Sequence, residues 1–429
     1  MRFQNLSRLR LGLVGALVAA TVAIGAPGQA AYPQSEVVTE DADDATAQVV
    51  ATGNIQRPTV DVLASSNGTV YLAGLFEAVA DDAGTHARRY LAAVDEASGQ
   101  VRPFAPDVSG RVYALATNGD SVYLGGTFKT VNGISRGFLT KVDAVTGAVD
   151  TSFRPGIRGR VNDLAISRGM LFVGGAFSKR LVALDLATGA DTGYVDLGIA
   201  GAVPNQSGPT SVFNFSVDPA GEHLVAVGNF ATVSGSNRLR TFMADLDDDR
   251  ARVSPWYYAP LAKRCITNTR TKQAQIADVD FSPDGSYFVL AATGYVPYRT
   301  SEIGETICDA SARFDTNEPN PNRPKWINYT GGDTVWSVAV TGKAVYVQGH
   351  FRWLDNPYGK DSLGPGGVRR PGIGAIDPVT GKALDWNPAK PAQIGGKAFL
   401  ATPSGLWVGS DSPKFAGEPH RGLAFVPLP

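Results

Sequence analysis

Two cysteines, three methionines and four histidines are all that 429 residues carry of the side chains most used in redox and soft-metal chemistry. That scarcity excludes a disulfide-dense scaffold and a zinc-finger array. His86, His223, His350 and His420 fall at no metal-ligand spacing, and no HExxH, GxSxG or CxxC motif occurs. Charge is also sparse: Asp, Glu, Lys and Arg make up 18% of the chain, with a formal net charge of −1. Without a basic excess, nucleic acid is not an expected partner, nor is an anionic membrane surface. Past residue 30 no apolar run is long enough to span a bilayer.

The first thirty residues differ from the rest. Arg2, Arg8 and Arg10 form a basic start, Leu11 to Ile24 an apolar stretch, and Gly28-Gln29-Ala30 a small-residue cleavage site, the pattern of a signal peptide over 1–30. Its removal takes three Arg and no acid, moving the formal charge from −1 to −4. The expectation is a secreted protein, monomeric by default, in which Cys265 and Cys308 form one disulfide. Residues 31–47, rich in Ala, Asp and Thr, read as a flexible leader.

What is abundant is glycine, 49 residues of it, arranged in a repeat. The stretch Arg111 to Asp150 contains short apolar strands separated by Gly, Asn and Asp turns, and its pattern returns to the last residue. Seven second-strand segments align on a Gly-x-Phe ending or its relics: 70–76, 122–128, 171–177, 224–230, 287–294, 345–351 and 406–411. Each follows an inner-strand candidate, beginning at Val60, Val112, Val161, Val212, Ile276, Val335 and Ala398. A repeat of about 50 to 65 residues suits a four-stranded blade. The predicted fold class is therefore all-β: a seven-bladed β-propeller over 48–429, of four-stranded antiparallel blades. Turns with Asp first and Gly fifth (Asp95, Asp143, Asp185, Asp377) are explained by folding alone, because Asp accepts turn amides and Gly supplies positive φ. Phe104, Phe153, Trp256, Trp326 and Trp386 recur at the ends of fourth strands, a position that favours packing between blades. The final strand would leave an open edge, which an N-terminal strand at Val49 to Asn54 is expected to cover.

Function is less legible, and the sequence discloses no reaction. The insertions gather on one face of blades four to six, where loops on a rigid scaffold collect binding residues. Cys265 and Cys308 lie in two of them. The longest insertion, from His350 to Arg370, holds Arg352, Trp353, Asp355, Asp361 and Arg369. Together with Trp256 and Tyr257 these are the candidate ligand-binding residues. The competing reading is a loop packed on its neighbour, with Arg352 and Asp355 as an ion pair. Asp163, Asn214, Asp278 and Ser337 share one offset in consecutive inner strands and would line a sector of a central channel. Buried carboxylates need partners, for which a structural calcium, backbone amides and ordered water all qualify.

The repeats VYLGGTF and LDxxTG, the segment FSPDGSYF, and HFRWLDNPYGKDSLGPGG with RPGIGAIDPVTGKALDWNP resemble a group of secreted bacterial β-propellers of unassigned activity, related to kelch-like repeat proteins. The resemblance implies export and a seven-bladed ring and brings no catalytic residues. The reading that follows is a secreted, non-catalytic propeller that binds a carbohydrate or protein outside the cell, with no cofactor. The alternative is an extracellular polysaccharide hydrolase or lyase using carboxylates such as Asp355 and Asp361, or those of the channel.

Overall fold

The computed structural model describes residues 32–204, 206, 208–266, 271–272, 274–391, 395–396 and 398–429, so the expected signal segment lies outside it. Among the described residues seven antiparallel sheets of three or four strands repeat along the chain, with six smaller sheets in their connections. Sheet one consists of Thr59–Ser66, Thr69–Leu75 and Leu91–Asp95, and sheet two of Val112–Asn118, Ser121–Gly126 and Leu139–Asp143. Sheet three is Arg160–Ser167, Met170–Ala176 and Leu181–Asp185. Sheet four begins with Ser211–Val217 and His223–Asn229, and sheet five with Ile276–Phe281 and Tyr287–Ala292. Sheet six is Val335–Val340, Val345–Gly349 and Ile373–Ile376, and sheet seven Ala398–Ala401, Gly405–Gly409 and Leu423–Pro427.

The apolar runs are continuous rather than alternating because both faces of each sheet are covered. The core is accordingly a series of layers, each shared by two consecutive sheets. A further layer holds Val60, Leu63 and Leu72 of sheet one with Ala398, Trp407 and Phe425 of sheet seven. Hydroxyls tie the layers together at matching points. Tyr71 Oη donates to the Ala144 carbonyl, Tyr123 Oη to Leu186 and Tyr194 Oη to Asp247. The first two acceptors directly follow the Asp that opens the neighbouring sheet's turn. Those turns form as read: Asp143 Oδ1 accepts the Val145 and Thr146 amides, and Gly147 has φ +71°.

The Gly-x-Phe ending has a steric cause. In sheets one to six the first strand carries a one-residue register shift, at Val112/Ala114 in sheet two and Val161/Asp163 in sheet three. That bulge brings backbone against the second strand, where a Cβ on Gly126 would sit 2.2 Å from the Arg111 carbonyl and one on Gly175 2.2 Å from that of Arg160. Only glycine fits. Fourth strands are weaker than expected. They are formed in sheets four and five (Ala251–Val253, Trp326–Tyr329), while sheets one, two, three and six show a single bridge such as Val142 to Val149.

Two expectations about the N-terminal region are corrected. Residues 31–47 are not an unpacked leader, since Gln34, Val38, Thr46 and Ala47 are buried. Nor does 49–54 cover the final edge. Gln48–Val49 pairs instead with Val79 and Ala80 of the first sheet's outer hairpin. The amides of Thr39 and Asp43 donate to Pro427 and Phe425, and the Trp386 indole donates to the Thr39 carbonyl. Composition misled here because a segment that bonds through its backbone needs few apolar side chains to be held in place.

Candidate functional site

Second-to-third-strand connections fold into small hairpins in several sheets, and sheet two shows the minimal form. There Thr130–Val131 pairs with Ile134–Ser135 around Asn132 and Gly133, both at positive φ. In sheet six the equivalent hairpin, Trp353–Leu354 with Val368–Arg369, keeps its pairing while the turn grows to residues 355–367. The candidate site is therefore an enlarged version of a standard connection.

Asn356 holds the enlarged turn. It is fully buried, its Nδ2 donating to the Ser362 carbonyl at 3.0 Å and its Oδ1 accepting the Gly364 amide at 2.7 Å. A Cβ on Gly331, which has φ +80°, would lie 2.0 Å from Asn356 Nδ2, so glycine there is what lets the preceding loop approach. The next residue but one, Asp333, is buried and grips Arg352 by both oxygens, Nε to Oδ2 at 2.8 Å and Nη2 to Oδ1 at 3.0 Å. Such a bidentate fork fixes the guanidinium plane. Arg352 also reaches Asp361 at 3.3 Å, and its guanidinium lies 4.1 Å from the centre of the Trp353 ring. Arg369 is the cross-strand partner of Trp353 and is exposed, as are Lys360, Tyr358 and Leu363. Asp333 was missed in the sequence, where Gly331-Gly332-Asp333 was the available signal.

The expected Arg352 to Asp355 ion pair does not form. Asp355 accepts Asn328 Nδ2 at 2.7 Å on one oxygen and the Ala383 amide at 3.1 Å on the other. It closes the base of the hairpin, and its oxygens are committed to that role. Asn328 is buried, and its Nδ2 donates also to the Gly381 carbonyl at 2.9 Å. His350 is exposed beside the hairpin, with its amide on the Thr334 carbonyl.

Trp256 is a correction. It is 0% exposed and packs edge-on against Phe288 at 5.2 Å and Phe314 at 5.5 Å, in the layer between sheets four and five. The end-of-strand position that it shares with Phe104 and Phe153 decided this. Tyr257 is half-buried, with Arg238 over its ring at 5.3 Å, away from the hairpin.

Cys265 and Cys308 are bonded, with Cα atoms 5.8 Å apart. The bridge joins the loop before sheet five to the loop after its second strand. That second loop in turn packs on the hairpin's support: a Cβ on Gly332 would sit 2.6 Å from the Tyr295 ring, and Tyr329 Oη donates to the Thr306 carbonyl. Replacing both cysteines by serine is expected to lower stability by about 2–4 kcal/mol, read as a drop in the denaturant midpoint. An unchanged midpoint would show that the two loops are held by packing alone.

Of the residues expected to line a channel, Asp163 and Asp278 take backbone partners. Asp163 accepts its own Leu164 amide at 2.9 Å and the Phe215 amide of the next sheet at 2.8 Å. Asp278 repeats this with Val279 at 3.0 Å and Val338 at 2.9 Å, and Asp280 accepts Val340 at 2.7 Å. These carboxylates join neighbouring inner strands that share no ladder. Burial pushes Asp163 up to about 8 and Asp278 up to about 7, the accepted amides opposing the rise, and raises Asp280 well above the usual range. Asn214 Oδ1 and Ser337 Oγ, at the same offset, have no hydrogen-bond partner among the described residues.

A cluster absent from the sequence reading is Asp218, Glu222 and His223, whose ligand-type atoms lie within 4.8 Å of one another. His223 Nδ1 is 2.9 Å from Asp218 Oδ2, and that bond raises the histidine above its ordinary pKa. The Glu222 amide donates to Asp218, so the group is a self-satisfied turn between two strands.

No family model and no curated protein matches the chain. Among solved structures it is similar to the RRP9 WD40 repeats, at 12% identity and a TM-score of 0.52 over 94% of this chain and 100% of that one. It is likewise similar to U3-55K, at 13% identity and a TM-score of 0.51 over 90% and 100%. At such identities the likeness shows the fold alone, which is all-β and propeller-like.

Proposed function

We propose that this chain is a secreted, non-catalytic, seven-bladed β-propeller that binds an extracellular carbohydrate or protein through the hairpin of sheet six and the loops beside it. The observation that carries the reading is Trp353, half-exposed between Arg352 and Arg369 on a loop locked by Asn356 and Asp333. Aromatic and Arg anchors on a preorganised surface are what binding sites use. Seven inter-sheet layers support the ring, with Val60 donating to the Ser410 carbonyl where sheet one meets sheet seven. In that ring, Thr39 and Asp43 stand in for the missing fourth strand of the last blade. The disulfide and the residue pattern of 1–30 support export.

A catalytic reading has less to stand on, because Asp355 is spent on structure and Asp361 is paired with Arg352. Binding is tested by screening the purified protein on a glycan array and by pull-down from extracellular fractions. Trp353→Ala is expected to weaken any ligand found by at least tenfold with little change in melting temperature. Equal binding by the variant would remove the hairpin from the site, and polysaccharide turnover lost in Asp361→Asn would establish the enzyme instead.

A further inference from the structure

We infer that the ligand of this face is an acidic polysaccharide, its sugar ring lying against Trp353 and its carboxylates or sulfates meeting Arg369 and Lys360. This rests on the proposed binding role and deepens it.

The argument is one of local charge. The whole chain is close to neutral at −1, yet residues 350–370 hold Arg352, Lys360, Arg369 and Arg370 against Asp355 and Asp361. Of the two acids, Asp355 is turned inward onto Asn328 and the Ala383 amide. Asp361 faces Arg352 at 3.3 Å. Arg370 is buried and donates to the Leu384 carbonyl. Arg352 is held by Asp333. Arg352 carries one charge against both Asp333 and Asp361, so the exposed Asp361 offsets part of the charge of Arg369 and Lys360; neither of these two cations forms an ion pair among the described residues, and the face stays net positive.

The neighbouring loops add cations of the same kind. Arg264 and Arg299 are exposed in the two loops joined by the disulfide, and the Tyr298 amide donates to the Arg264 carbonyl. Tyr298 and Tyr358 are 49% and 60% exposed, and the Arg299 guanidinium lies 5.9 Å from the centre of the Tyr298 ring. An aromatic face offers an electron-rich surface to the C–H side of a sugar. Guanidinium groups take carboxylate or sulfate by paired N–H donors. An apolar partner would leave these cations without counter-charges. A neutral glycan would use the rings and ignore the charge, so the combination favours an acidic chain.

Calorimetry, or the intrinsic fluorescence of the wild type compared with Trp353→Phe, would be followed with polygalacturonate, dextran sulfate and neutral dextran at 20 mM and 500 mM salt. The expected result is binding to one or both acidic polymers and not to dextran, weakened at least tenfold by the high salt. Polygalacturonate alone would assign carboxylate, and dextran sulfate alone would assign sulfate. Arg369→Gln with Lys360→Gln, both at exposed positions, should weaken binding at least tenfold. Lys343→Gln, in the turn between the first two strands of sheet six, should not. If the double variant binds as wild type, or the Lys343 variant loses as much, the acid-binding site is refuted as non-specific charge. Dextran bound as tightly as the acidic polymers, with loss in Trp353→Ala, would overturn the acidic ligand and leave the binding role standing. No binding to any glycan and capture of a protein through Trp353 would overturn this inference alone. No binding partner of any kind would overturn both.

Discussion

Trp256→Ala should destabilise the protein by about 3–5 kcal/mol, the cost of emptying a fully buried aromatic site, and so should lower the melting temperature more than any other substitution considered for the candidate site. Trp256 is enclosed by Phe288 and Phe314, with Tyr258 against Phe314 at 5.0 Å. Alanine would leave a cavity that these rings cannot fill without leaving their own rotamers. The indole Nε1 has no hydrogen-bond partner among the described residues, so Trp256→Phe removes an unsatisfied donor along with volume and should cost much less than alanine. Chemical denaturation of the two variants beside Trp353→Ala reads the contrast. A Trp256→Ala protein as stable as wild type would show that the layer between sheets four and five is not packed as described.

The second large effect is on pH. Asp163 and Asp278 have folded-state values raised to about 8 and about 7, against an unfolded value of about 3.9. A carboxyl raised on folding holds its proton more tightly in the folded state. Its stabilising contribution is therefore complete below about pH 4 and is lost as pH climbs to the folded value. Within that window each group contributes a slope of about 1.4 kcal/mol per pH unit, so stability should fall between pH 5 and pH 8. Asp163→Asn removes the titration. It also places an amide N–H₂ against the Leu164 or Phe215 amide, so one acceptor is lost and the variant is less stable than wild type at pH 5. The gap should narrow by pH 8, where the wild-type carboxyl is close to ionising. Melting temperatures across the range decide the matter: a wild-type curve flat from pH 5 to pH 8, or one unaltered by Asp163→Asn, would mean that these carboxylates are not buried as they stand here.

Particular residues show where the sequence was legible. Gly126, Phe128 and the Asp143 turn could be read as folding elements because each answers a local demand: a close backbone approach, a buried ring, a turn amide. Pairing Cys265 with Cys308 needed only two cysteines and the placement of two loops on one face. Trp256 was misassigned because a tryptophan beside two tyrosines in a long connection looks the same whether its ring faces solvent or the next sheet. The repeat position already held the answer, since Phe153, its counterpart two sheets earlier, is equally buried against Tyr123. Asp333 was passed over although Gly331-Gly332 before it marks a tight turn, because only the fold brings that turn under Arg352, 19 residues further on. Asp355 looked catalytic as an acid in an unusual loop.

The sequence by itself determined the repeat, its first three strands and its turns, but not the fourth strands, which are formed in only two of the sheets. Only the tertiary structure decided which side chains of the sheet-six insertion are spent inward and which are left to solvent. It also placed residues 39–43, rather than 49–54, along the last strand. Both outcomes depend on partners tens to hundreds of residues away, such as Asn328 with Asp355 or Thr39 with Pro427. A buried polar group is assigned by whatever donor the fold brings within about 3 Å of it, and no local pattern encodes that distance.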